Sequence, residues 1–218
     1  MDKKHQNNYK KHSEKKQQRR TFRKDRSRVS FEYLRSLGEG IVLDFYPQGK
    51  SFSKKRPEDY NPLSIILTID KFQLIEVYYK KRVSLDIYEK IKLHKNLNDI
   101  ISIKPTNYSK LSVNATERTP EIITNIVSNN EDLFVNFFNI ARPITTQLHQ
   151  LRLLPGIGQK RMWIIIESRD KKVFVSFDDI KKRTNLSDPQ NLIIQRILLE
   201  ITSDQKYYLF VKKETVER

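Results

Sequence analysis

The stretch "LRLLPGIGQKRMW", residues 151–163, decides how the second half of this chain is read. An apolar run stops at Pro155, turns through Gly156 and Gly158, and restarts with a basic pair, Lys160 and Arg161. Only five glycines occur in 218 residues, so two of them this close together mark a turn with a strict shape requirement. Pro155 cannot extend a helix that precedes it, because it lacks an N–H and its ring crowds the previous turn. Gly156 and Gly158 permit positive φ and let a ligand come close to the backbone. Ile157, between them, is expected to point into the core and pin the turn. A helix starting near Gly158 presents its free N–H groups and positive dipole end at the same place, which suits an anion. Gln159 adds a donor, and Lys160 and Arg161 add charge. The expected phosphate contacts are therefore Gly156, Ile157, Gly158, Gln159, Lys160 and Arg161.

Outward from the turn, Ile144, Leu148 and Leu151 have the spacing of an apolar helix face, against which Met162, Ile165 and Ile166 are expected to pack. Trp163 reads as core, and His149 as a satisfied helix histidine rather than a ligand. Downstream, "FDDI" (177–180) opens a helical segment whose paired acids, Asp178 and Asp179, suit the positive end of its dipole. "SDPQNLIIQRILLEI" (187–201) is a longer helix, capped by Ser187 or Asp188, with Pro189 in its first turn. Its buried face is expected to be Ile194, Ile197, Leu198 and Ile201. "TNLSD" (184–188) between them is a turn without glycine, so it is read as structural and not as a phosphate site. "KYYLFV" (206–211) reads as a terminal strand. Upstream, Thr119-Pro120-Glu121 reads as a helix start, and Asn129-Asn130 as a kink or a break between two helices.

Residues 40–104 have a different rhythm. "GIVLDFYP" (40–47), "LSIILTI" (63–69), "FQLIEVYY" (72–79), "EKIKL" (89–93) and "DIISIK" (99–104) are five short strands, with a tight turn at Asp70-Lys71. Five strands of this length, with no long helix among them, suggest a small barrel, most simply an OB-like one, with an SH3-like barrel as the competing form. The loop 50–62 carries Lys50, Lys54, Lys55 and Arg56. With the strand aromatics Phe45, Phe72, Tyr78 and Tyr79, these could stack bases and hold phosphates, unless the rings fill the barrel instead.

The formal net charge is +16. The first 28 residues carry 12 Lys and Arg against 3 Asp and Glu, and the remaining residues carry 30 against 23. A basic body with a more basic tail points to a polyanionic partner. The tail holds too few large apolar residues to offset its ordering entropy, so it is expected to lack fixed structure. There is no cysteine, which excludes disulfides, thiolate metal sites and cysteine nucleophiles. No apolar run approaches a membrane span, and the start has no secretory core, so a cytoplasmic location is expected. No G-x-x-x-x-G-K-[ST] loop occurs, and G-x-G-x-x-G fails at Arg161. No nucleophile–base pair or metal-ligand spacing stands out, so no catalytic residue, metal or obligatory cofactor is expected.

The apolar lead, Leu-Pro-Gly-Ile-Gly and basic restart resemble the helix-hairpin-helix motif. That motif grips nucleic-acid backbone without reading bases, and such hairpins can also hold a monovalent cation on their carbonyls. Residues 174–201 resemble the second half of a tandem unit. The whole succession, over about residues 35–211, resembles an archaeal family of unknown function that joins an OB-like barrel to a helix-hairpin-helix domain, described as nucleotide- or RNA-binding. The resemblance implies RNA or ribosome-related work. The fold expected is thus α+β: a basic tail (1–30), an OB-like barrel (31–106), a helical connector (107–140) and a helix-hairpin-helix domain with a terminal strand (141–218). The function expected is non-catalytic binding of nucleic acid, RNA before DNA. The alternatives are an assembly factor on a ribonucleoprotein, a DNA-repair-type module, and an enzyme using Asp178 or Asp179.

Overall fold

A computed structural model describes residues 31–49, 61–80, 83–95 and 98–212. The basic tail and the loop bearing Lys50, Lys54, Lys55 and Arg56 lie outside these residues. The described part is α+β, with six α-helices and a five-stranded antiparallel sheet.

The strands are β1 (Glu39–Tyr46), β2 (Leu63–Thr68), β3 (Leu74–Tyr79), β4 (Lys90–Lys92) and β5 (Ile100–Pro105). They fall within a residue or two of the positions expected from alternation and turns. Their order in the sheet is β4-β1-β2-β3-β5, and the sheet is open. The edge strands β4 and β5 are therefore consecutive in sequence, joined only by Leu93–Asp99. Among the described residues that link holds a 3-10 turn, Leu93–Lys95.

Both faces of the sheet are covered. One face carries Val42, Ile66, Ile75, Val77, Tyr79, Ile91 and Ile100 into a cluster closed by Leu34 and Leu37 of α1 (Phe31–Leu37). The other carries Leu43, Ile65, Leu67 and Leu74 into the core of the helical layer. β2 sits between the two, with all six residues buried. This explains its near-continuous apolar sequence. The register of β1 against β2 shifts between Val42 and Asp44, leaving Leu43 as an inserted residue. Alternation alone sends Val42 and Leu43 into different cores; the bulge shifts the phase beyond them, so that Phe45 packs with the Val42 cluster and Tyr46 with the helical core.

The helical layer docks on that bulge. α2 (Val113–Asn129) starts at Ser112, whose hydroxyl accepts from Ala115 N and donates to Asp44 of β1 (2.6 Å). Arg118 of α2 donates to the bulged carbonyl of Leu43 (3.0 Å). The helix therefore begins seven residues before the expected Thr119-Pro120 start. Pro120 lies inside it, and the cap that matters is the serine shared with the sheet. α3 (Glu131–Ile140) follows after the expected break at Asn130. One apolar core joins α2, α3 and the later helices to the sheet, across the boundary expected near residue 106.

α5 (Phe177–Thr184) starts where the FDDI segment with its paired acids places it, and α6 (Pro189–Thr202) where its cap predicts. Ser176 accepts from Asp179 N, and Asp188 accepts from Asn191 N. The terminal strand expected at 206–211 does not form. The amides of Leu209, Phe210 and Val211 all donate to the carboxylate of Glu200, at 2.7, 3.0 and 2.9 Å, so they are spent on a side chain and not on a sheet edge. The segment lies along the helices. Its end touches the β2–β3 turn through Lys212 N and the Lys71 carbonyl (3.1 Å).

Candidate nucleic-acid interface

α4 (Gln159–Lys171) carries the hairpin at its N-terminus. The approach to it is not the α-helix expected over Ile144–Leu151. α3 ends at Ile140, and Pro143 and His149 then pair in an isolated antiparallel bridge. One 3-10 turn, Gln150–Leu153, leads into Leu154 and Pro155. Pro143 disfavours helix at the residue before it. His149 caps the short turn instead, its Nδ1 accepting from Leu151 N at 3.1 Å. Of the apolar residues expected to face α4, Leu151 is buried and Leu148 half-buried.

At the turn itself Gly156 has φ +74°, a conformation that favours glycine. Ile157 is buried and bonds Leu154 O through its N–H (3.2 Å). Its burial contributes about 2 kcal/mol to holding the turn. Gly158 is the N-cap of α4, with φ −83° and ψ −179°, an ordinary extended conformation. A Cβ at Gly158 would meet nothing within 4 Å. Neither backbone conformation nor packing requires glycine there.

The first bond into α4 runs from Met162 N to Gly158 O (3.0 Å), and no side chain caps the helix. The N–H groups of Gln159, Lys160 and Arg161 are the unsatisfied donors of the helix start. All three residues are exposed, as are Gly156 and Gly158, so of the six expected contacts only Ile157 is buried. Arg161 folds back over the turn, its Nη1 donating to Gly156 O (2.9 Å). No Asp or Glu occurs between Asp132 and Glu167. The mouth of the helix is thus cationic, bare and free of local carboxylates.

Each carbonyl of the turn accepts one hydrogen bond: Gly156 O from the Arg161 guanidinium, Leu154 O from Ile157 N and Gly158 O from Met162 N.

The turn between α5 and α6 has a related shape and a different end. Asn185 takes the left-handed conformation (φ 56°), and Leu186 is buried. Asp188 then fills the helix mouth with its own carboxylate, bonded to Asn191 N at 2.9 Å. That site is closed to anions, in line with its sequence.

The other singled-out residues are dispersed. Tyr79 is buried and shares a hydrogen bond with Ser64 (2.9 Å), with burial pushing its hydroxyl up to about 12. Phe72 is buried in the helical core. Phe45 is half-buried against the inner cluster. Tyr78 is half-buried, with its hydroxyl bonded to Glu76 and Lys104 over its ring. Phe72 and Tyr79 therefore fill the fold and are closed to bases, whereas Phe45 and Tyr78 keep part of their surface exposed. Asp179 accepts from Arg183 (2.9 Å) and from Val175 N, while Asp178 is exposed.

Trp163, expected in the core, is 51% exposed. α4 turns Met162 and Ile165 inward, and the ring, one position on from Met162, points away from them. It lines a groove of about 580 Å³ beside the hairpin, with His149, Arg152, Gln159, Met162 and Arg169 among its walls. His149 is buried, and desolvation, with the Arg169 charge second, holds its imidazole below the usual range. Sequence reasoning missed this groove, because the segment 143–148 that forms one wall has no regular structure.

Residues 38–212 match a family described as a protein of unknown function, DUF655. The uncharacterized protein MJ0038 of Methanocaldococcus jannaschii is 37% identical over 175 residues, 78% of this chain and 78% of that protein. The crystal structure of Af1531 from Archaeoglobus fulgidus, titled with the same family, superposes with a TM-score of 0.68 at 36% identity. It covers 80% of this chain and 99% of that one. Among the described residues no helix is long and apolar enough to cross a membrane.

Proposed function

Since the chain belongs to the DUF655 family, whose function is unknown, we propose one from its own geometry: the protein binds nucleic-acid backbone at the hairpin 154–161, without catalysis. The observation that carries this is Gly158. It is a glycine the fold does not need, at an uncapped helix start flanked by Lys160 and Arg161. A phosphodiester oxygen accepting from the amides of Gln159 to Arg161 needs that open approach. Contacts of this kind position a polymer and carry no sequence information.

RNA is the polymer proposed, in translation or RNA processing, following the family resemblance of the sequence. The strand order supports reading the open sheet as an OB-like barrel. The paired turns at 154–158 and 184–188 support reading the helices as a tandem helix-hairpin-helix domain with one working hairpin.

The test is equilibrium binding of a structured RNA, followed by fluorescence anisotropy across salt concentrations. Phosphate contacts release counterions, so affinity is expected to fall steeply as salt rises. The double substitution Lys160→Glu, Arg161→Glu is expected to abolish binding at moderate salt with the circular dichroism unchanged. Unaltered affinity in that variant would remove the hairpin from the interface.

One observation favours a protein partner as a second reading. Leu133 and Ile140 share an exposed face of α3, and Asn139 is bonded twice to Phe174, whose neighbours Val173 and Val175 are also exposed. Recovery of a protein partner that survives nuclease treatment would support it.

A further inference from the structure

The groove beside the hairpin is formed by two segments that do not resemble each other. Gln159 and Trp163 line it from the first turns of α4, and Leu148, His149 and Arg152 line it from the irregular approach. Its volume, about 580 Å³, falls within the ordinary range for small-ligand sites. Its lining includes two arginines, Arg152 and Arg169, and no acidic residue. Trp163 is among its walls and is about half exposed. The Nδ1 of His149 is committed to Leu151 N, so the neutral imidazole carries its proton on Nε2, as a donor.

We propose that this groove holds one unstacked nucleobase, laid against the Trp163 ring, while the adjoining phosphate sits on the α4 amides. The inference rests on the backbone-binding function proposed above and narrows its ligand to a strand with an unpaired nucleotide. Gln159 belongs to both features: it is the first residue of α4 and a wall of the groove. Trp163 follows it by four residues, just over one turn or about 6 Å along the axis, a separation that one nucleotide can span between phosphate and base. An aromatic face with cationic walls suits a base, because every base has a π-face and single-stranded RNA is held by such stacking. A continuous duplex keeps its bases stacked inside and cannot use the ring.

Trp163 is the only tryptophan in the chain, so its emission reports the groove directly. The experiment titrates the full-length protein with a short single-stranded oligoadenylate and, separately, with a blunt RNA duplex, reading Trp163 emission and ligand anisotropy together. The single strand is expected to quench the emission as it binds, and the duplex to bind without quenching. Trp163→Ala is expected to weaken oligoadenylate binding about tenfold and leave duplex binding intact, with Trp163→Phe recovering most of the loss. Single-strand binding without quenching, equal quenching by duplex, or an unaffected Trp163→Ala variant would each overturn the base site and leave backbone binding standing. Binding of neither ligand would overturn both.

Discussion

Arg196 and Glu200, one turn apart on α6, form a buried ion pair with Nε and Oε1 2.7 Å apart. Their side chains are 5% and 0% exposed. Neither is left short of partners. Arg196 also donates to the carbonyls of Leu153, just before the hairpin, and Tyr207. Glu200 accepts from three successive amides of the C-terminal segment. The pair ties the hairpin approach, the last helix and the C-terminal strap to one point.

Removing one member is expected to cost more than removing both. Glu200→Ala leaves a buried guanidinium and three amides without their acceptor, a loss of about 3–5 kcal/mol. At roughly 2–4 °C per kcal/mol for a chain of this size, the melting temperature should fall by about 6–20 °C. Arg196→Met with Glu200→Gln is expected to recover part of that. Calorimetry of the single and double variants checks the order.

Gly158→Asp should separate fold from function. The carboxylate would cap α4 as Asp188 caps α6, raising stability by about 0.5–1 kcal/mol. The same oxygens would occupy the amides that phosphate needs, and RNA affinity is expected to fall at least tenfold. Gly156→Ala, at φ +74°, should instead lower stability by about 1 kcal/mol. Melting curves and anisotropy on the same preparations distinguish the two.

His149 should make the hairpin approach sensitive to acid. Its pKa is lowered in the folded chain by burial and by Arg169. The unfolded chain therefore takes up the proton first, near its ordinary pKa of about 6.5. Its contribution is complete above that pH and is lost as pH falls through the lower folded value. Protonating Nδ1 would also break the bond from Leu151 N. Melting temperature measured against pH should show this acid loss in the native chain and a smaller one in His149→Gln.

Tyr79 should be the mirror case at alkaline pH. Its hydroxyl ionises at about 12 in the fold, against 10 for an ordinary tyrosine. Its stabilising contribution is complete below about 10 and is lost as pH rises through the folded value. Absorbance titration should leave the Tyr79 phenol resistant until the protein unfolds. In Tyr79→Phe that resistant phenol should be absent, and stability lower by about 1–2 kcal/mol because Ser64 loses its partner.

What the sequence determined alone was whatever rests on near neighbours along the chain. Alternation and turn residues located five strands. Asp178 and Asp179 located one helix start and Asp188 and Pro189 another, Asn129-Asn130 a change between helices, and the glycine pair a turn that leads into an outward, uncapped helix start. Each depends on period, cap or φ preference, which a few consecutive residues set. The tertiary structure decided everything that turns on a distant partner. The Leu43 bulge and the Ser112–Asp44 bond moved a helix start ahead of Pro120. Glu200 took the amides that a terminal strand would have paired. The Pro143–His149 bridge replaced a helix before the hairpin and, by leaving Trp163 uncovered, opened the groove beside it. In each case a backbone donor or an apolar face has several possible partners of similar energy, and only packing in three dimensions selects among them.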